Sequence, residues 1–518
     1  MFFLQDLGDG VSPSLFPSVL LAPPSSVESR NSDPWTLNLP LIRRKIKALR
    51  FLTHGPSVIQ EAFDKSNGNP FEIQAVDTRH VFVSSPHHIK ELQAASDTAL
   101  SLYASARKII QPKYTMQDFN WLDFSKGGKQ GWGFLRAVRV CLTGNLPNIL
   151  PCLGALVQAQ IANILVKNPT IDGAHHISLH PLITRLVVMS NVAAIFGPDL
   201  AGNDVFVKAA QDYIEQTIIG GEIIRFTPSW FIPIVSSVIH RFFRAQDIVY
   251  NTLLPIAEQR LREREVAAEL GMEMPKHTDC IQWTIESLPR GNTLTPRLLV
   301  HELMGIWFGS VHALATTITV AVHDLCLHPE YIPPIRDEIA NHYDHFEHTA
   351  HGLPLLDSFI KESSRLTPAE TLSTRRQATH PFTFSDGTHL NPGDWAVTPL
   401  LAINKMPEYY PQPHQFSGFR FVSEGVLNSI EFNAEEKLPQ QAKASKLTDI
   451  ESSWLMFGIG KQSCPGKFYA SAVMKVILSQ IITHYDVDLL DPKAERMWVL
   501  RSGLVPRHET KVTFTPRK

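Results

Sequence analysis

Residues 457–470 read "FGIGKQSCPGKFYA": three glycines, one proline and one cysteine, running into a helical pattern. Glycine lets a backbone approach a bound group closely and adopt dihedrals closed to other residues. A phosphate loop requires G-x-x-x-x-G-K-[ST]. Here Gly460 and Lys461 are followed by Gln462, and Leu455 occupies the position where the first glycine belongs, so the pattern fails twice. A metal-bearing group suits the stretch better. One cysteine thiolate can hold the iron of a haem and push electron density onto it. The thiolate must stay deprotonated. A helix starting just after Cys464, with Pro465 at its first position, offers free N–H groups and a positive dipole end. Phe457 would shield the sulfur side.

The bulk of the chain allows a large enzyme. It has 518 residues, 44% hydrophobic and 19% charged, which supports a substantial core. The formal net charge is -2, so no basic excess points to nucleic acid. The five cysteines, Cys141, Cys152, Cys280, Cys326 and Cys464, are scattered without C-x-x-C, which speaks against a disulfide framework and fits a reducing compartment. The apolar piece "SLFPSVLLAPP" near the N-terminus is too short to span a bilayer, and no charged start precedes it, so no secretory signal or anchor is visible.

Residues 1–38 are rich in proline and serine and read as irregular, with one domain expected over 39–518. A helical pattern begins at "LPLIRRKIKALRFL", and "FEIQAV" and "HVFVSS" read as a strand pair. From Pro86 most of the chain reads as helix. One helix runs from Pro296 to Leu327 with Thr295 as N-cap. At ~1.5 Å per residue it would be about 48 Å long, a buried central helix. "LPLLDSFIKESSRLTP" forms another helix, ending at Pro368, and short strands follow in "PFTFSDGTHLNPGDWAV". Residues 434–448 read as a polar surface insertion, residues 467–484 as a helix, and "YDVDLL" and "TKVTFT" as closing strands. The fold class is mainly α with small β-sheets. His323, Cys326 and His328 are poorly aligned for a second metal site and show no fourth ligand.

The pattern F-x-x-G-x-[RH]-x-C-x-G, matched by Phe457, Gly460, Cys464 and Gly466, resembles the cysteine loop of the cytochrome P450 family. Gln462 departs from it, standing where the family has Arg or His against a haem propionate; Lys461 is beside it. Glu362 and Arg365 match the family's E-x-x-R, three apart on one helix face, and Arg420 in "FSGFRF" resembles the third member of its Glu-Arg-Arg triad. The resemblance implies that this network is structural and supports the cysteine loop. Trp132 and Arg136 have W-x-x-x-R spacing, with Arg139 following, and either arginine could meet a propionate; a plain amphipathic helix explains each singly. Arg375 resembles a further propionate contact, with Arg376 as the alternative.

In the long helix, "FGSVHALATT" aligns with the family's centre over the haem, where a small pair, an acid and a threonine break the helix and relay protons. Gly309 and Ser310 fit the small pair, His312 takes the acid position, and Ala313 replaces the threonine. Ser310 and Thr316 each lie three residues from Ala313, on its face. His312 also reads as a core histidine bonded to backbone.

The resemblance implies the cytochrome P450 fold, with the long central helix over a haem b whose axial ligand is the Cys464 thiolate. It implies an NADPH- and O2-dependent monooxygenase that hydroxylates or epoxidises a small apolar substrate, with electrons from NADPH-cytochrome P450 reductase on a separate chain. The flavour of the sequence is similar to fungal enzymes of secondary metabolism, which implies a terpenoid or meroterpenoid substrate. It further implies the cytosolic face of the endoplasmic reticulum membrane, with "RFTPSWFIPIVSSVI", residues 225–239, touching the membrane surface or packing in the core. Ala313 keeps open a haem-thiolate isomerase, dehydratase or oxidative-rearrangement enzyme, and Gln462 with Ala313 a haem protein that binds a ligand without turnover.

Overall fold

The computed structural model describes residues 39–119, 133–273, 275–288, 294–430, 432 and 439–517. The segment 1–38, Trp132 and most of the glycine-rich stretch before Gly133 lie outside the described residues. Helices make up most of the structure and four small sheets are set against them, as the fold class required. The largest sheet runs Phe71–Gln74, Arg79–Phe82, Trp395–Thr398, Ser373–Ala378 and Leu100–Ser101 in spatial order. Its first two strands are the expected pair, and His80–Phe82 lies parallel to Trp395–Val397.

The chain after Pro86 is mostly helical, as expected, with a short hairpin, Thr170–Ile171 with Ala174–Ser178, that extends a sheet formed by Tyr485–Leu489 and Lys511–Pro516. Its turn is Asp172-Gly173, both at positive φ (53° and 84°), the type I′ geometry that this dipeptide favours. The continuous helix from Pro296 is two helices, Pro296–Phe308 and His312–Leu327, parted at Gly309–Val311. Thr295 Oγ1 does accept from the Leu298 N–H, as an N-cap should. The break is held from outside: the Asn191 side chain donates to the Ser310 carbonyl at 2.8 Å, and Ser310 Oγ donates to the Trp307 carbonyl.

The supposed insertion is also partly integral. Leu447 is buried, its N–H donates to Asp357, and Lys361 reaches Ser445 Oγ and the Lys446 carbonyl. These contacts lie against the helix Pro354–Leu366, which is buried on nearly every side, charged residues included. Each charge on it therefore needs a partner. Glu362 receives Arg365 (Nε at 2.7 Å, Nη2 at 2.8 Å), Arg420 Nε (3.0 and 3.1 Å) and the Ser417 N–H (2.9 Å). The spare guanidinium N–H groups go to carbonyls of the following meander: Arg365 to Asn404 and Pro413, Arg420 to Pro411 and Gln415. Gly418 lets this loop pass Phe359 and Tyr331, where a Cβ would come within 2.7 Å.

A second ionic cluster joins the helix Asp204–Phe226 to the turn after Phe71–Gln74 and to the hairpin Met497–Leu500 with Gly503–Pro506. Arg225 bonds Asp77 at 2.7 Å and Glu222 at 2.5 Å, and Arg501 bonds Glu222 at 2.8 Å. The next helix, Ile232–Phe242, turns Ile234, Val238 and Phe242 outward beside an exposed Trp230. Leu146–Val166, Leu179–Phe196 and Pro296–Leu327 are long and apolar enough to cross a membrane by length and composition, yet each contributes residues to the main core.

Breaking a buried ion triad leaves the other charges without compensation, at a cost of about 3–5 kcal/mol. Glu362→Ala should therefore lower the denaturation midpoint in urea sharply, and an unchanged midpoint would refute the reading of this triad as a structural centre.

Candidate active site

The cysteine loop closes on itself. The Cys464 N–H donates to the Phe457 carbonyl at 2.8 Å, and the Ser463 N–H donates to the Gly460 carbonyl at 3.2 Å. Gly460 has φ +68°, a left-handed conformation that favours glycine; a Cβ there would also displace the exposed side chain of Gln93. Phe457 is packed in the core. The following helix is Lys467–His484, so it begins two residues after Pro465, which sits in a turn. Burial pushes the Cys464 thiol up, while the Gly466 N–H and the cations of Lys467 and Arg139 pull it down. Protein surrounds Cys464, yet its side chain remains accessible.

A cavity of about 1060 Å³ borders this loop. Lys461, Gln462, Ser463 and Pro465 contribute from the loop side, and Glu302, Gly305 and Gly309 from the long helix. Arg136 and Arg139 line it as well, from a helix described over Gly133–Arg136 that continues as a π-helix over Ala137–Leu142. Arg139 Nη2 also donates to the Lys461 carbonyl, and a Cβ on Gly466 would touch Val138 of the same helix at 3.4 Å. The arginine helix and the cysteine loop are thus in direct contact.

The other sequence candidates fall around this frame. Ala313 is exposed one turn beyond Gly309, and its carbonyl accepts from Thr317 Oγ1. Thr316 is buried, and its hydroxyl has no partner among the described residues. His312 is held below the usual histidine range by burial, with Glu370 opposing. Arg375 and Arg376 point to opposite faces of Ser373–Ala378. Arg375 bonds Glu370 and lies over Trp395; Arg376 is buried, which lowers its pKa to about 10 against the opposing charges of Asp97 and Tyr103, and both of those residues line the cavity.

Two residues escaped the sequence reading. Tyr469 donates from its hydroxyl to Asn191 Oδ1 at 2.9 Å, and Asn191 in turn holds the helix break through Ser310. The helix after the cysteine and the break in the central helix are therefore tied through a third helix, Leu179–Phe196. Single polar residues in apolar helices give no spacing signal, though Asn191 in "VVMSNVAAIF" was an unpaired polar residue in a buried pattern.

The residues present fit a flat, anionic, iron-bearing ring. One cysteine sits in a glycine-shaped loop, two glycines flatten the facing helix, and Arg136, Arg139 and Lys461 supply positive charge on the walls.

Comparison with known proteins agrees with this geometry. The cytochrome P450 family model matches residues 34–514. Cytochrome P450 monooxygenase 151 of Postia placenta is 27% identical over 478 residues, 91% of each chain. Cytochrome P450 monooxygenase paxP of Penicillium paxilli is 26% identical, covering 90% of this chain and 87% of its own. Cytochrome P450 monooxygenase janP of Penicillium janthinellum is 27% identical, over 94% of this chain and 89% of its own. The solved structure of retinoic acid-bound cyanobacterial CYP120A1 shares the fold, with a TM-score of 0.64 at 18% identity over 91% of this chain and 96% of that one.

Removing the hydroxyl of Tyr469 or the amide of Asn191 should each lower stability. In a double-mutant cycle of Tyr469→Phe and Asn191→Leu the two losses should be coupled by about 1 kcal/mol. Simple additivity would show that the relay carries no energy.

Proposed function

This chain belongs to the cytochrome P450 family, and on that premise we propose that it is a haem-thiolate monooxygenase of a fungal secondary-metabolite pathway, acting on an apolar terpenoid or meroterpenoid. The observation that carries the reading is the accessible Cys464, flanked by two cavity-lining residues and facing a glycine-surfaced helix break. We assign the whole of 39–518 to one catalytic domain. When bound, a b-type haem supplies the iron chemistry that splits O2, one oxygen atom going to a C–H or C=C bond of the substrate and the other to water.

This chain's own residues do the rest. Cys464 Sγ would hold the iron, with the Gly466 N–H and the nearby cations of Lys467 and Arg139 acting against the burial that raises its pKa. Arg136 and Arg139 would hold the propionates, helped by Lys461, with Arg375 or Arg376 from the sheet side. Gln462 brings an amide rather than a charge to the position where the family has Arg or His. Gly305 and Gly309 leave room for the ring and substrate. His312, kept neutral by burial, can take a proton at one ring nitrogen and release one at the other. Ala313 puts a methyl where a hydroxyl is usual; Ser310 Oγ already donates to the Trp307 carbonyl, whereas the Thr316 hydroxyl has no partner among the described residues. The missing hydroxyl at 313 motivates one second reading, an isomerase, dehydratase or rearrangement enzyme that needs no threonine relay.

Electrons would come from NADPH through a reductase on a separate chain. The exposed stripe of Trp230, Ile234, Val238 and Phe242 suits the surface of the endoplasmic reticulum membrane, from the cytosolic side.

The reduced, purified protein should give a strongly red-shifted Soret band with carbon monoxide, and Cys464→Ala should lose it. An unshifted wild-type band, or a preparation that takes up no haem, would end the haem-thiolate reading. Flotation with phosphatidylcholine vesicles tests the surface: the Ile234→Glu, Val238→Glu double variant should leave the vesicle fraction while keeping the red-shifted band. Equal flotation of wild type and variant would remove this helix from the membrane contact.

A further inference from the structure

Glu302 lies on the same face of the helix Pro296–Phe308 as Gly305, seven residues before the break at Gly309, and all three line the large cavity. At ~1.5 Å per residue the carboxyl's helix position is about 10 Å from the break. Gly305 puts no side chain between them. Glu302 is only 2% exposed, and neither carboxyl oxygen has a hydrogen-bond partner among the described residues. No salt bridge reaches it there either, although Arg136 and Arg139 line the same cavity. Burial raises the pKa of its carboxyl to about 7, with the neighbouring Phe134 N–H the one group acting to lower it. The cavity walls include Phe119, Phe134 and Leu135 as well as the polar Glu286 and Ser287.

A buried carboxyl without partners costs free energy that a packed hydrocarbon would not. The cost is met when a ligand brings the missing donor, and a site built to bond one polar group rejects analogues that lack it. We propose that Glu302 is a specificity-determining residue that hydrogen-bonds a single hydroxyl or N–H group on an otherwise apolar substrate. The inference rests on the monooxygenase reading above and narrows its substrate class to apolar molecules already carrying one hydrogen-bond donor. The competing role is structural: holding the Phe134 backbone of the neighbouring helix.

Spectral titration of the full-length holoprotein with matched hydrocarbons and alcohols separates the two. The probes are androstane and androstanol, bornane and borneol, and dodecane and dodecanol. In Glu302→Leu the alcohols should lose about tenfold in affinity, with the hydrocarbons unweakened. Glu302→Gln, which can still bond a hydroxyl, should keep most of the alcohol affinity. Equal losses for both members of each pair would establish the structural role and overturn the proposal. A panel in which no alcohol binds wild type more tightly than Glu302→Leu overturns it as well. If Glu302→Leu yields no holoprotein, infrared difference spectra decide: the carboxyl band that Glu302→Gln removes must shift on adding alcohol and stay fixed with hydrocarbon, and a band unmoved by every alcohol refutes the assignment. The carbon monoxide spectrum of the same preparations keeps the two readings apart, since a red-shifted band in the variants leaves the monooxygenase standing whatever becomes of Glu302.

Discussion

Glu362 is a fully buried carboxylate, and satisfying it organises the proximal half of the molecule. Taking a charge out of water costs several kcal/mol, and two guanidinium groups repay it only if their own remaining N–H groups are met. Those N–H groups are met by backbone carbonyls at Asn404, Pro411, Pro413 and Gln415, which fixes the path of an irregular segment that no sheet or helix could hold. From that segment the order passes on. The Tyr410 hydroxyl donates to the Ser453 carbonyl, the Trp454 indole N–H donates to the Leu447 carbonyl, and Ser373 Oγ donates to the Leu455 carbonyl, just ahead of the cysteine loop. A carboxylate far from any chemistry thus sets where the cysteine stands.

Much of this was legible in the sequence because it is local. Glu362 and Arg365 are three apart on a helix, the loop glycines cluster around one cysteine, and the helix Lys467–His484 begins where its pattern does. Arg420 was found through its motif rather than through any contact that spacing could give. What stayed hidden is what depends on distant partners. The break at Gly309–Val311 was expected from the family's small pair, but the bond that Asn191, more than a hundred residues earlier, gives its Ser310 carbonyl was not. The hairpin at Asp172-Gly173 had a turn signal, but its strands are stabilised by the last strand of the chain. Adjacent arginines at 375 and 376 could not be ranked, since a strand sends them to opposite faces and only the fold says which face matters.

The walls of the cavity divide the labour of charge. Arg136, Arg139 and Lys461 contribute cations near the loop, while Glu302 stands farther along the central helix among aromatic rings. An anionic ring and an apolar substrate need opposite surroundings, and here both are offered within one space.

The hydrogen bonds from Tyr469 through Asn191 to Ser310 have a thermodynamic consequence for occupancy. They span from the helix behind the cysteine to the helix that faces it, so the separation of the two walls is set by a third body and not by the contents of the gap. A pocket whose walls must first draw together spends part of its binding free energy on ordering them. Here that ordering is completed when the chain folds, and the attraction between the walls and a guest remains available as affinity.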